Sequence, residues 1–281
     1  MTTGLYGQHL TLMETIKAAT FTAHAQLQTA PYFGALASCQ LPLESYVGQL
    51  RALAVIHGVL EPILSRGSDA RLAAVWSHDM GKLSALQRDL RFFEPRTVPD
   101  LREAVEAALK IDQHIRLRSL DEPLALLGYL YVLEGSMLGA NVVRPLVARA
   151  LLLEGQDGLA YLHGYGAEGP AQWGRFLQGM NALELNPEER AVVVAAAGEF
   201  FGELSALFHR LYPFAPESKT FLVTSINPEA GRHPVPADAR EVEASLRAGD
   251  VCWQNFPYFE QRYGERGRRF ARSDAAWQAT L

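Results

Sequence analysis

Apolar residues recur at three- and four-residue intervals through most of the first 215 positions, the spacing that lines one face of an α-helix. Met13–Gln28 carries such a stripe. A second begins at Pro42 and Glu44 and runs through SYVGQLRALAVIHGVLEPILSR, with Tyr46, Leu50, Leu53, Ile56 and Leu60 on one side. Shorter helices are predicted over Asp69–Trp76 and Gly81–Phe93, and longer ones over Val98–His114 and from Glu122-Pro123 onward. A polar, glycine-rich loop covers Glu154–Pro170 and is followed by helices over Gln172–Ala182 and Pro187–Leu211. The last opens on Asn186-Pro187, a capping side chain followed by proline in the first turn. No segment before residue 215 alternates as a strand would, and no repeat is visible. The pattern predicts an all-α fold, a multi-helix bundle over residues 1–215, with 216–281 as a C-terminal extension.

One helix breaks its own pattern. Tyr129–Asn141 reads YLYVLEGSMLGAN, with Gly135, Gly139 and Ala140 inside a long apolar run. Each glycine in a helix interior costs about 1 kcal/mol relative to alanine. Gly135 and Gly139 lie one turn apart, on one face almost bare of side chains. Either a second helix packs closely there or a flat ligand does. The helix is expected to bend at Gly135 and again before Pro145.

Composition narrows the function. The net charge of −5 leaves no basic excess to neutralise phosphates, which argues against a nucleic-acid partner. Cys39 and Cys252 are far apart and in no CxxC spacing, as expected of a reducing cytoplasm. No basic segment followed by an apolar one opens the chain, so no signal peptide is expected. The longest apolar stretches contain Glu, Arg or Gly, so no membrane partner is expected.

His24, in FTAHAQLQ, is flanked by alanines that leave room for a large planar group beside its imidazole. Alone, a helical histidine is more often a surface or core residue. Lys17 stands seven residues earlier, on the same face, where a cation can meet a carboxylate of whatever His24 binds; alone it reads as a solvated surface lysine.

At these residues the chain resembles the biliverdin-producing haem oxygenases in their bacterial form. The similarity lies in TAHAQLQ, LPLESYVGQLRAL, LEPIL, YVLEGSMLGANVV and QWGRFLQGMNA, in family order over about residues 11–211. The resemblance implies haem as cofactor and substrate, opened with O2 and external electrons to biliverdin, carbon monoxide and ferrous iron. It implies His24 as the axial iron ligand through Nε2, and Lys17 as a propionate contact. Gly135, Gly139 and Ala140 would form the helix backbone against the opposite face. Arg175 is the nearest basic candidate for the second propionate. Reducing equivalents would come from a ferredoxin, flavodoxin or reductase. Ser136 stands where some members carry an aspartate, and a hydroxyl cannot carry that charge. Gln28 replaces a carboxylate that polarises the axial imidazole in relatives. His57, one turn before Glu61, is a further polar candidate.

Rival functions remain open at the level of sequence. A haem carrier or sensor would share the fold. A non-haem di-iron oxidase would need His57, Glu61 and Glu134 to converge with further ligands. A thiaminase-type enzyme would need a cysteine nucleophile, which neither Cys39 nor Cys252 provides convincingly. Beyond residue 215 the chain is rich in proline, then mixes aromatics with Arg262, Arg266, Arg268, Arg269 and Arg272 around a predicted helix over Ala237–Ala248. That extension is expected to cover the helical domain, form a homodimer contact, or steer an acidic electron donor.

Overall fold

The computed structural model describes residues 10–96 and 98–213, and among them helices are the sole regular elements. The extension, its predicted helix and Cys252 lie outside the described residues. Ten α-helices follow in order: α1 (Leu12–Gln28), α2 (Pro31–Ala37), α3 (Leu43–Arg66), α4 (Ala70–Val75), α5 (Leu83–Phe93), α6 (Arg102–Asp121), α7 (Ala125–Ala150), α8 (Ala160–His163), α9 (Gly169–Asn181) and α10 (Pro187–Arg210).

Local chemistry sets the helix starts. Thr11 and Glu14 form a reciprocal capping box at α1, and Asn186 and Glu189 form one at α10. Asp69 caps α4. Three expectations are corrected. Proline at its first turn opens α2, in a stretch to which the apolar pattern assigns no element. The helix expected over Val98–His114 begins after Leu101 and runs on to Asp121, because Ile115 continues the buried stripe of Ala104, Ala108 and Ile111. The loop Glu154–Pro170 contains α8 and a 3-10 turn at Gly166–Glu168. The glycine-bearing helix is a single element through Gly135, Gly139 and Pro145.

Helix α10 is the hub. It packs against α1, α2, α6 and α7, while α3 lies on α5 and α6, and α9 touches α1, α4 and α7. Its Phe200 is fully buried against Tyr129 of α7, with ring centroids 4.9 Å apart. Burying such a side chain contributes about 1.5–3 kcal/mol. Close helix packing does occur on α7, but at Gly128. A Cβ there would stand 2.5 Å from the Val193 carbonyl oxygen and 2.7 Å from the Ala197 nitrogen of α10. By length and composition alone, Leu43–Arg66, Ala125–Ala150 and Pro187–Arg210 are apolar enough to cross a membrane; here their apolar sides meet within the bundle.

Candidate functional site

Helices α1 and α7 both rest on α10. The half-buried Tyr131 of α7 lies beside the buried Thr20 of α1. One turn further along each helix stand His24 and Gly135, and around them the side chains are exposed rather than packed.

His24 is exposed on α1, tilted against the Phe201 ring of α10 at 5.4 Å between centroids. Gln28 Nε2 lies 3.3 Å from His24 Nε2, so the amide meets the nitrogen assigned to the metal. A metal at Nε2 requires that long, exposed contact to open. Lys17 is exposed on the same helix. On α7, a Cβ at Gly139 would meet nothing within 4 Å. Phe21 beside His24 is 69% exposed, and Leu138 and Val142 beside Gly139 are 46% and 68% exposed. An imidazole, a bare stretch of helix backbone and three solvent-facing apolar side chains suit a flat, apolar, metal-bearing ligand.

The remaining predicted residues divide. Gly135 is not bare: Trp173 Cη2 of α9 lies 3.7 Å from its would-be Cβ. Ala140 is buried, because one residue beyond Gly139 turns the side chain about 100° around the helix, toward the core. Ser136 donates to the Leu133 carbonyl at 2.6 Å and lies beside the buried Tyr161 phenol. Arg175 places Nε 3.1 Å from Gln172 Oε1, and no described contact joins it to α1.

Behind α7 lies a second polar group that sequence reasoning missed. Glu134, the residue before Gly135, is 4% exposed and accepts from the Tyr165 hydroxyl at 2.8 Å. Lys82, also 4% exposed, donates to Met80 O at 2.8 Å, sits 3.8 Å above the Tyr165 ring centroid and lies 3.9 Å from Glu134. Burial pushes the Glu134 carboxyl up and the Lys82 ammonium down, each partly offset by the other's charge. Nearby, Glu61 accepts from the backbone N–H groups of Lys82 and Leu83 at 2.6 and 3.0 Å and meets His57 Nδ1 at 2.9 Å. Burial pushes Glu61 up, but those hydrogen bonds outweigh it and leave its pKa lowered. His57 Nε2 is buried without a partner. Glu61 and Glu134 are thus engaged by the protein itself. Among the described residues no three His, Cys, Asp or Glu side chains gather as a metal site, so the ligand set of a di-iron oxidase is not assembled. The sequence signals for this region were His57 one turn before Glu61 and Glu134 within an apolar run; nothing local marked Lys82 or Tyr165.

The described residues define an all-α protein with an exposed imidazole on α1 and a glycine-bearing helix face on α7, both helices packed on α10. The heme oxygenase family model matches residues 10–210, and the chain belongs to that family. It is a haem-degrading oxygenase, with haem as substrate and cofactor. Among solved structures, it is similar to the heme oxygenase of Leptospira interrogans, with 19% identity, TM-score 0.64, and 71% of this chain and 99% of that one covered. Heme oxygenase-1 of the cyanobacterium Synechocystis, solved in complex with heme, is 16% identical with TM-score 0.69, over 76% and 98% of the two chains. The Neisseria meningitidis heme oxygenase is 22% identical with TM-score 0.52, over 74% and 96%. These likenesses support the shared fold. No curated protein sequence gives a significant match.

Proposed function

We propose that haem is held in the cleft between α1 and α7, with His24 as its axial ligand and the Gly139 backbone against its opposite face. The observation that carries this is the pairing of an exposed imidazole with a glycine whose Cβ side is empty. When bound, haem supplies both the iron that activates dioxygen and the ring that is opened to biliverdin, carbon monoxide and ferrous iron. The chain's residues do the rest. Phe21, Leu138 and Val142 shed water onto the ligand's apolar surface. Lys17, one face with His24, meets a propionate. Ser136 keeps its hydroxyl proton on the Leu133 carbonyl, and burial pushes the Tyr161 phenol up, so that it stays protonated at neutral pH. The α7 side of the cleft is thereby served by neutral hydroxyls where some relatives place a carboxylate.

Electrons reach the site from an external ferredoxin, flavodoxin or reductase, in a cytoplasmic setting to which the cysteine usage is suited. Purified protein loaded with hemin and given ascorbate in the presence of catalase is expected to release biliverdin and ferrous iron. Stable binding with neither product would make the chain a haem carrier and overturn the enzymatic reading.

A further inference from the structure

We propose that Trp173 is a specificity-determining residue: its indole closes the Gly135 end of the cleft, fixes where the macrocycle sits, and so selects which bridging carbon is cut. This rests on the assignment of the cleft to haem and adds to it a wall from α9, outside the glycine-bearing motif of α7.

Gly135 and Gly139 are equivalent in sequence, one turn apart on the same helix face. Their surroundings are not. The indole reaches to 3.7 Å (Cη2) and 4.0 Å (Cζ3) of the Cβ that Gly135 lacks, while nothing comes within 4 Å at Gly139. A tetrapyrrole is wider than one helical turn of about 5.4 Å. Lying on Gly139, it must extend along α7 in one direction or the other. The indole blocks the Gly135 direction, and the exposed side chain of Val142 lines the free one.

The wall is anchored. Trp173 packs on the buried Phe176, with centroids 5.4 Å apart and ring planes at 33°, and lies 6.1 Å from the Tyr131 ring. Tyr131 in turn lies beside Thr20 on α1, one turn before His24. Helix α9 is also tied to α1 at its far end, where Met13 N donates to Asn181 Oδ1 at 3.1 Å. The indole is half-buried, with surface left for a ligand edge. The four bridging carbons of the ring are nearly equivalent chemically. Selection among them therefore depends on in-plane seating, and an aromatic wall at one end of the cleft supplies a steric reason for one seating.

Wild type, Trp173→Phe and Trp173→Ala are compared in two ways after hemin loading. Chromatography of the released biliverdin gives the isomer ratio, and proton NMR of the haem methyl groups in the ferric cyanide complex gives the seating without turnover. Trp173→Phe is expected to keep the wild-type isomer and seating. Trp173→Ala is expected to change both ratios by about fivefold or more, equivalent to about 1 kcal/mol. Wild-type ratios in Trp173→Ala would overturn the proposal. If the alanine variant fails to fold by circular dichroism, Trp173→Leu takes its place, with a shift in the seating ratio expected and an unchanged ratio overturning the idea. Failure of the cleft assignment looks different: wild type itself would then show no Soret band. A wild type that binds hemin without turnover leaves the NMR comparison to decide.

Discussion

The two sides of α7 are built on opposite rules. On the side toward α5 and Tyr165, the helix buries a carboxylate, and Glu134 is met by a hydroxyl and an ammonium group. On the cleft side it shows Leu138, Val142 and the empty flank of Gly139. An ordinary amphipathic helix keeps charge outward and apolar residues inward; α7 buries mostly apolar residues too, and Glu134 and the exposed apolar pair are its departures. The departures separate two tasks. The dry side pins the helix through groups that are costly to leave unpaired, so its height and rotation are fixed. The wet side leaves apolar surface without a protein partner, which is what a helix serving as one wall of a ligand cleft requires.

The sharpest way to break the dry side is to remove one charge. Lys82→Met leaves Glu134 buried without its cation and is expected to cost about 3–5 kcal/mol. That corresponds to a fall in Tm of about 10 °C or more for a domain of this size. The double variant with Glu134→Leu should recover part of the loss in a denaturation cycle; strict additivity would show that the two groups do not act as a pair.

The glycines test the wet side against the packing side. Gly128→Ala drives a methyl into the α10 backbone and is expected to cost about 2–3 kcal/mol, read by chemical denaturation. Gly139→Ala meets no neighbour, so the free protein should hold its stability or gain up to about 1 kcal/mol. Its hemin affinity should fall about tenfold, or about 1.4 kcal/mol, in a Soret titration. A Gly139→Ala protein that is destabilised yet binds hemin normally would reverse the roles assigned to the two positions.

The smallest expected effect concerns pH. Glu61 has a folded pKa below its ordinary 4.5. Its contribution is therefore fully present above that value and is lost as pH falls through the folded one. Glu61→Gln should be less stable than wild type at neutral pH, and the gap should narrow in acid. A gap that widens as pH falls would contradict the sign.

Much of the bundle was legible because helix signals are local. Asn186 with Pro187 and the stripe through Tyr46, Leu50 and Leu60 each announce an element within a few residues. His24 and Gly139 each have an ordinary use on their helices when read alone, and the ordered family resemblance is what singled them out. What stayed hidden depends on partners far away in the chain. Lys82 reads as a surface lysine until Glu134 and Tyr165 close around it. Gly128 reads as an ordinary glycine until the α10 backbone arrives beside it. The motif presents Gly135 and Gly139 as twins, and only Trp173 from α9 makes them different.

The claim that His24 and the Gly139 wall form one haem site is tested most directly by hemin titration of wild type and His24→Ala, followed at the Soret band. Wild type is expected to saturate with a sharp band, and the variant to lose or shift it. A variant with the wild-type band position and affinity would show that the iron is held elsewhere.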